Sequence, residues 1–402
     1  MNYSAIILAD CGRQTNSRKP LAMWEVLGEP LIDWVLESVN GAGIDDEHIG
    51  IVINSGAEIL KEYLSGREGI RFYKKMSEAK ELTDCGNVLI MSANTPFVNC
   101  DTLAAALNEH TFSGNDVTGI GFAAYWFSSR ALGRPLPESA ADAVAAAAAN
   151  GGKTGALDIQ DPNILLTADS RADLLRLNIT AKMAVIGKLL DEGVEFVSTD
   201  GIIIEKNVKV GRDTVILPGT ILRGNTVIGE ECVIGPNTII ENCTVGNGVI
   251  LNSVQAYEAK IADRVKAGPF VQLRPGTVLH EGVKIGDFVE IKNSEIGVNT
   301  AVAHLTYLGD SDVGKGVNFG CGCVTANYDG VNKFRTKIGD NAFIGCNTNL
   351  VAPVEIGENA ATAAGSTVTK HDIVPPDSLV YQRAETKIIE NWEHNSKRVK
   401  KA

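Results

Sequence analysis

The chain has 402 residues, 44% of them hydrophobic, and is therefore long enough to form two domains with packed cores. Its formal net charge of -12 argues against an extended nucleic-acid-binding surface, because phosphate backbones require clustered lysine and arginine. No apolar run is long enough to cross a membrane, and no basic segment precedes the first apolar run, so we expect a cytoplasmic protein without membrane insertion.

The first half of the chain predicts a doubly wound, Rossmann-like α/β domain of the nucleotidyltransferase type. The segment YSAIILAD predicts a strand, a glycine-containing loop follows, EPLIDWVLESV predicts a helix, and HIGIVINSG predicts the next strand. This alternation is typical of a sheet covered by helices on both faces. We place this domain at residues 1–168 and a connector helix at residues 169–195.

A repeat of six residues fills most of the second half. In each hexad an aliphatic residue is followed four places later by a small residue, so one hexad forms a short strand and a corner with both side chains pointing inward. Three hexads close one triangular coil, and successive coils stack about 4.8 Å apart. We therefore predict an all-β left-handed parallel β-helix at residues 196–385 and a basic tail at residues 386–402.

The predicted aliphatic positions begin with Val210, Ile216, Leu222, Ile228, Ile234 and Ile240, and continue with Leu273, Leu279, Ile285, Ile291, Ile296, Val302, Leu308, Ile338, Ile344, Leu350 and Ile356. The predicted small positions include Thr214, Thr220, Thr226, Cys232, Thr238 and Thr244.

Residues eighteen apart in unbroken register stack on adjacent coils. Arg274 and Lys292 form such a pair, because each directly follows an inward aliphatic residue. Two cations one strand spacing apart repel each other unless an anion lies between them. The pair is a candidate phosphate-binding site, and two unrelated surface cations are the alternative.

The eight cysteines form no CxxC pair and no zinc pattern, so we expect reduced thiols. Cys321 and Cys323 are the closest pair. Because they lie inside the repeat, we predict that they are core residues and not a redox or metal site.

The hexad register breaks within VNFGCGCVTANYDGVNKF, which must loop out, and such excursions tend to carry function. The motifs GPFVQLRPG, FVEIK, HLTYLGD, NYDGVNK and LVAPV occur in this order between Thr199 and Arg383. On these motifs the chain resembles the bacterial bifunctional N-acetylglucosamine-1-phosphate uridyltransferases/glucosamine-1-phosphate N-acetyltransferases. The resemblance implies a homotrimer with active sites between subunits. It also implies transfer of an acetyl group from acetyl-CoA to the amine of glucosamine-1-phosphate, towards UDP-N-acetylglucosamine and the cell wall.

The resemblance further implies roles for individual residues. The expected sugar-phosphate site consists of Arg274, Lys292, Tyr307, Asn318 and Lys333. The expected acetyl-CoA site consists of Asn327, Tyr328, Cys346, Ala364 and Arg383. Cys346 stands where the family usually has serine, and a thiol is a weaker hydrogen-bond partner than a hydroxyl.

Acetyl transfer requires a neutral amine, because an ammonium ion has no lone pair with which to attack the thioester. The family uses the histidine of HLTYLGD as the base, so His304 is the predicted general base. Glu290 of FVEIK is predicted to hydrogen-bond the other ring nitrogen, with a plain surface carboxylate as the alternative. Cys346 is not expected to act as a nucleophile, because the family transfers the acetyl group directly.

The N-terminal half departs from the family's uridyltransferase domain. The family's loop LAAGxGTRM is LADCGRQTNS here, and Asp10 would repel a bound triphosphate. Asn94 replaces a metal-binding aspartate, and the uracil-recognising segment Gln-Leu-Gly-Thr-Gly has no counterpart. Asn178 is a candidate metal ligand, with a structural place in the connector helix as the alternative. We predict a shortened, catalytically weak or silent domain that needs Mg²⁺ only if it is active.

Other interpretations stay open at this point. They are a complete bifunctional enzyme and a non-catalytic scaffold that binds nucleotide sugars. A β-helical carbonic anhydrase would need three zinc-binding histidines, but His280, His304 and His371 lack a common register. The terminal SKRVKKA is either a solvated tail or an aid in holding the phosphates of CoA.

Overall fold

The computed structural model describes residues 3–9, 17–84, 86–133, 135–382 and 385–392. Asp10, Arg383 and the SKRVKKA segment lie outside the described residues, so the expectations for them stay predictions. Contacts between residues divide the chain into two units, Met1–Gly187 and Lys188–Ala402. Within the described ranges, no helix is both long and apolar enough to span a membrane.

The strands of the first unit are β1 (Tyr3–Leu8), β2 (Glu25–Val26), β3 (Glu29–Pro30), β4 (Ile49–Val52), β5 (Arg71–Tyr73), β6 (Asn87–Ser92), β7 (Val117–Ile120), β8 (Ala124–Ser128) and β9 (Thr154–Ala156). The helices are α1 (Leu31–Gly41), α2 (Ala57–Tyr63), α3 (Cys100–Phe112), α4 (Ala140–Ala149) and α5 (Arg171–Asp191). Short 3-10 turns lie at Leu21–Met23, Asp46–His48, Met76–Glu78, Lys80–Asp84, Ser129–Ala131 and Pro162–Leu165.

A mixed sheet with the strand order β5-β4-β1-β6-β8-β7-β9 forms the centre of the first unit. Successive residues of β6 point to opposite faces, as the pleat requires. Leu89 and Met91 belong to one core with residues of α1 and α3, whereas Val88 and Ile90 belong to a second core with residues of α4. Helices therefore cover both faces, which confirms the predicted α/β domain.

The strands of the second unit are β10 (Glu195–Phe196), β11 (Ile203–Ile204), β12 (Lys209–Val210), β13 (Val215–Ile216), β14 (Ile221–Arg223), β15 (Val227–Ile228), β16 (Val233–Ile234), β17 (Ile239–Glu241), β18 (Thr244–Val245), β19 (Ile250–Leu251), β20 (Val254–Tyr257), β21 (Lys260–Ile261), β22 (Lys266–Ala267), β23 (Val271–Leu273), β24 (Val278–Leu279) and β25 (Lys284–Asp287). They continue with β26 (Glu290–Lys292), β27 (Glu295–Ile296), β28 (Ala301–His304), β29 (Tyr307–Gly309), β30 (Ser311–Val313), β31 (Asn318–Phe319), β32 (Val324–Ala326), β33 (Thr336–Ile338), β34 (Phe343–Ile344), β35 (Asn349–Val351), β36 (Val354–Ile356), β37 (Ala361–Thr362), β38 (Thr367–Val368), β39 (Ile373–Val374) and β40 (Leu379–Val380).

Every third strand of the second unit joins the same sheet, so three parallel sheets form the sides of a prism. We call them sheet 1 (β10 to β40), sheet 2 (β11 to β38) and sheet 3 (β12 to β39). All the predicted aliphatic positions are buried, and so are the predicted small positions from Thr214 to Thr238. This arrangement confirms the predicted left-handed β-helix.

The small position predicted at Thr244 and the core position predicted for Cys321 are wrong. Thr244 is exposed and Cys243 is buried, because the step from Ile240 to Val245 is one residue shorter than a full hexad. Of the cysteine pair, Cys323 is buried as predicted, whereas Cys321 is only partly buried. Cys321 therefore lies on the outside of a corner and is not a core residue.

Candidate functional site

One corner of the β-helix, between sheets 1 and 2, carries a column of potentially reactive side chains on successive coils. Asp287 and His304 are direct partners in the pairing of β25 with β28. The pairings of β28 with β31, β31 with β34 and β34 with β37 extend this register to Cys321, Cys346 and Ala364. We call these five residues the histidine column.

His304 is held by a carboxylate one coil away. Its Nδ1 lies 2.7 Å from Oδ1 of Asp287, and because a carboxylate only accepts hydrogen bonds, Nδ1 is the donor. This hydrogen bond is the main cause that lowers the pKa of Asp287. The His304 side chain is 57% exposed. Nε2 is therefore the ring nitrogen that can take a proton from a ligand.

The predicted contact between Glu290 and His304 is wrong. Glu290 accepts a hydrogen bond from Nη1 of Arg274 at 2.7 Å. Arg274 directly follows β23, which pairs with the strand of Glu290 in sheet 2. Asp287 takes the place that we predicted for Glu290. The sequence does contain a signal for Asp287, because it lies one coil before His304. The two residues are seventeen apart, whereas stacked residues in unbroken register are eighteen apart.

The predicted stacking of Arg274 and Lys292 is confirmed by the register of β23 and β26, in which Leu273 pairs with Ile291. Lys333 joins them, because its ammonium group is the main cause that lowers the pKa of Lys292, with smaller contributions from burial and from Arg274. A lowered lysine pKa means that the protonated amine is disfavoured among like charges. We call Arg274, Lys292 and Lys333 the cation cluster.

A buried carboxylate compensates part of this charge. Asp310 is 5% exposed and accepts hydrogen bonds from the amides of Asn293 and Asn327. Burial alone would raise the pKa of Asp310, but these hydrogen bonds and the charges of Lys292 and Lys333 outweigh it, so the pKa is lowered. The site thus has three basic side chains and two acidic ones, Glu290 and Asp310, and this excess of basic groups suits an anion.

The excursion that the broken register predicted lies between β32 and β33 and positions Lys333. Tyr328 and Lys333 form an antiparallel bridge within it. Its base is fastened by an ion pair between Arg335 and Asp312, in which Nε lies 3.0 Å from Oδ2. Nζ of Lys370 lies 3.6 Å from Oδ2 of Asp329 in the same excursion.

The other predicted ligand-binding residues are only partly brought together. Tyr307 pairs with Glu290 on sheet 2. Both the Tyr307 hydroxyl and the Asn327 amide nitrogen lie next to Gly309: a Cβ at Gly309 would collide with the hydroxyl and lie 2.9 Å from the nitrogen. Asn327 thus belongs to the surroundings of the cation cluster. Tyr328 is exposed and its hydroxyl donates to the Gly330 carbonyl at 2.5 Å.

Asn318 is not brought to the cation cluster along the chain's own fold. It lies on β31 in sheet 1, where it pairs with Ala301, whereas the cluster borders sheet 2. Cys346 and Ala364 are exposed members of the histidine column, in line with His304.

The side chain of Asn178 hydrogen-bonds backbone groups of the first unit, which supports the structural alternative, and its role as a metal ligand stays a prediction. Its Oδ1 accepts from the Leu27 amide at 2.9 Å, and its Nδ2 donates to the carbonyls of Glu25 and Leu174 at 3.2 and 3.0 Å. Asn94 is 5% exposed and donates to Oδ1 of Asp169 at 2.9 Å. No cluster of three or more His, Cys, Asp or Glu suited to a metal occurs in the described part of the chain.

Comparison with known proteins agrees with the fold of both halves. The family model for bacterial transferase hexapeptide (six repeats) matches residues 201–242 and 335–370. Bifunctional protein GlmU of Acetivibrio thermocellus is 34% identical over 448 residues, which cover 97% of this chain and 96% of the relative. Bifunctional protein GlmU of Clostridium perfringens is 35% identical over 461 residues, covering 99% and 100%. That of Desulfitobacterium hafniense is 33% identical over 455 residues, covering 99% and 100%. The chain, with its nucleotidyltransferase-like α/β unit and its hexapeptide β-helix, therefore belongs to the GlmU family of bifunctional proteins.

Proposed function

We propose that this protein transfers the acetyl group of acetyl-CoA to the amine of glucosamine-1-phosphate. One observation carries the proposal: a histidine held by a carboxylate at 2.7 Å lies one corner away from a cluster of three cations with a net positive charge. Asp287 and Lys292 belong to one coil, and His304 and Tyr307 belong to the next. An anionic group and a nucleophile of one small substrate can therefore be held on the same two coils.

The chemistry assigns a separate task to each part of the site. The cation cluster binds the phosphate through charge-assisted hydrogen bonds. Nε2 of His304 takes a proton from the sugar amine as its nitrogen attacks the thioester carbonyl. A C–N bond forms, the C–S bond breaks, and the thiol of CoA leaves with a proton. Asp287 keeps the ring in the tautomer whose Nε2 is free.

The acetyl donor is proposed to lie along the histidine column beyond His304. The residues at this corner are small: Cys321 and Cys346 alternate with Gly320, Gly322 and Gly345 on the two coils above the histidine. Small side chains leave room for the extended arm of CoA, and Cys346 and Ala364 are exposed there. Tyr328 and Arg383 stay proposed contacts of the donor, and Tyr307 and Asn318 stay proposed contacts of the sugar phosphate.

Acetyl-CoA consumption, measured with glucosamine-1-phosphate beside glucosamine and glucosamine-6-phosphate, tests the proposal. We expect kcat/KM for glucosamine-1-phosphate to exceed that for glucosamine by about 100-fold or more, since the unphosphorylated sugar lacks the group that the cation cluster holds. The isomer with phosphate on carbon 6 should also be poor, because it cannot place phosphate and amine at the same separation. Equal turnover of all three sugars would contradict the proposal.

A homotrimer is proposed from the family resemblance, and an exposed apolar ladder that adjoins the histidine column supports an interface there. Phe270, Phe288 and Leu305 are 61%, 56% and 57% exposed, and the two phenylalanine rings stack with centroids 5.3 Å apart. All three have a positive φ, which costs energy for a bulky residue. Contiguous apolar side chains on a surface are typical of an interface. A second copy covering this ladder would place its own residues beside His304.

Replacing Phe288 with glutamate is expected to dissociate the trimer, because the carboxylate would have to be buried among apolar side chains. The mass in solution, measured by light scattering after size-exclusion chromatography, should fall towards that of a single chain. Phe112→Glu is the matched control, since Phe112 is 92% exposed on α3 of the other unit. A trimer that survives Phe288→Glu at micromolar concentration would refute this interface.

For the N-terminal unit we propose little or no uridyltransferase activity, supported by Asn94 at the position where the family has a metal-binding aspartate. The protein should release pyrophosphate from UTP, N-acetylglucosamine-1-phosphate and Mg²⁺ at least about 100-fold more slowly than it transfers acetyl groups. Acetyl transfer by the same preparation is the control for folding. Because the relatives are named bifunctional proteins, a complete bifunctional enzyme is the second candidate, and rapid pyrophosphate release would establish it.

A further inference from the structure

Two accessible thiols, Cys321 and Cys346, lie on adjacent coils of the histidine column. Phe319 pairs with Ile344, and the two cysteines each follow two residues later, so they are in register. The backbone N–H of Asn347 donates to the Cys321 carbonyl at 2.8 Å. Their Cα atoms are therefore one strand spacing apart, about 4.8 Å. This separation falls within the range that a disulfide spans.

Cys346 packs closely against Gly320 on the coil of Cys321. Its N, Cα and Sγ lie 2.5, 2.9 and 2.9 Å from the point where a Cβ on Gly320 would be, so the residue occupies space left open by the absent side chain of that glycine. Cys346 is exposed and Cys321 is partly exposed. Both thiols can therefore be reached by small oxidants from solvent.

A third thiol beneath them is engaged in other contacts. Cys323 is buried, and its Sγ donates to the carbonyls of Gly320 and Gly345 at 3.1 and 3.2 Å. Burial is the main cause that raises the pKa of this thiol. Cys323 therefore stays protonated and inward, and the pair that can react with each other consists of the two outer thiols.

We propose that Cys321 and Cys346 are an oxidisable dithiol, which forms a disulfide with peroxides and thereby closes the acetyl-donor side of the histidine column. The closure rests on the proposed acetyltransferase function, whereas disulfide formation does not. One thiolate attacks a peroxide oxygen, so that an S–O bond forms, the O–O bond breaks and hydroxide leaves. The second thiolate attacks the sulfenic sulfur, the S–S bond forms, the S–O bond breaks and a second hydroxide leaves. The two hydroxides take up the two protons that the thiols released, which gives two waters. Two electrons pass from the thiols to the peroxide.

The disulfide would change the site in two ways. It removes the two thiols from the surface that lies between His304 and Ala364, where the donor's thioester is proposed to lie. It also joins two coils that carry the donor, so their outer side chains can no longer part to admit it. Acetyl transfer should therefore fall when the disulfide forms and recover when a reductant breaks it.

Mass spectrometry of the full chain tests the disulfide directly. The reduced protein is treated with hydrogen peroxide, its remaining thiols are alkylated, and tryptic peptides are separated without reductant. Trypsin leaves residues 316–333 and residues 338–370 as separate peptides, which the disulfide would link. Because the first peptide contains both Cys321 and Cys323, variants identify the partner: the link should be lost in Cys321→Ala and kept in Cys323→Thr.

The activity of each variant is compared before and after oxidation, so each serves as its own reference. Oxidation should lower acetyl transfer by the wild type about tenfold or more, and dithiothreitol should restore it. Cys321→Ala should keep after oxidation the activity that it had before oxidation. Absence of the link in the wild type, or a link lost only in Cys323→Thr, would overturn the inference. A link that forms with no loss of activity would refute the closure. If reduced protein shows no acetyl transfer, the proposed function fails, while the linked peptides still decide the dithiol.

Discussion

Replacing His304 with asparagine is expected to lower kcat for acetyl transfer by about 10²- to 10⁴-fold, the range that general-base catalysis contributes. Asparagine keeps a polar side chain that can still hydrogen-bond Asp287, but it cannot take a proton from the amine. KM for glucosamine-1-phosphate should change by less than about threefold, since the phosphate is held by the cation cluster. Steady-state kinetics with varied sugar phosphate measure both quantities.

His280 provides a matched control on the same β-helix. Its Nε2 lies 2.6 Å from Oε1 of Glu295, so it is also a histidine bound to a carboxylate, but it directly follows β24 of sheet 3. His280→Asn should leave kcat within about twofold. Turnover that is insensitive to His304→Asn would instead favour the non-catalytic scaffold, with the activity arising from a contaminant or from another site.

Asp287 distinguishes a positioning role from a merely structural one. Asp287→Asn keeps the size of the side chain, but an amide can donate as well as accept, so it no longer fixes which ring nitrogen of His304 carries the proton. We expect kcat to fall by about tenfold or more while KM for glucosamine-1-phosphate stays within about threefold, because the phosphate is held by the cation cluster. A purely structural defect would raise KM and lower the thermal midpoint as well.

The stacking of coils explains which parts of the site the sequence could predict. Arg274 and Lys292 were found because each follows an inward aliphatic residue at a spacing of eighteen. Asp287 was missed because its coil is one residue shorter, and the error at Thr244 has the same cause. The period predicts which side chains stack on a face of the prism. Which side chains stack beside a corner also depends on whether the coil keeps its full length.

Contacts made by irregular segments could not be predicted from any period. Lys333 approaches Lys292 through the excursion, which the repeat does not describe, so only the family resemblance assigned it to the phosphate. The hydrogen bonds of the Asn178 amide with the backbone of Leu27 and Glu25 likewise join segments far apart in the sequence, so no local pattern predicts them. The exposure of Cys321, by contrast, follows from the hexad itself, because Cys323 stands four places after the inward Phe319 whereas Cys321 stands only two places after it.

Replacing Lys292 with glutamine is expected to raise KM for glucosamine-1-phosphate by about 10- to 100-fold, the equivalent of one lost charge-assisted hydrogen bond to phosphate. The maximal rate should change much less, because His304 and Asp287 are untouched. Lys266→Gln is the matched control. Lys266 pairs with Lys284, so it is also a stacked lysine, but it lies on sheet 1 and not in the cation cluster. KM of the Lys266→Gln variant for glucosamine-1-phosphate should stay within about twofold of the wild-type value.

Two further measurements separate phosphate binding by Lys292 from a structural role. Without ligand, Lys292→Gln should not lower the thermal midpoint, because it removes repulsion from Lys333 and Arg274, whereas loss of a structural contact would lower it. Because the pKa of Lys292 is lowered, Lys292 should lose its proton at a pH below the ordinary lysine pKa of about 10.4. The affinity of the wild-type protein for the sugar phosphate should therefore start to decline below that pH. The variant should lack this limb. An unchanged KM, or a pH limb that persists in the variant, would mean that the phosphate is bound elsewhere. We expect it at the cation cluster because three neighbouring cations repel one another unless an anion lies between them.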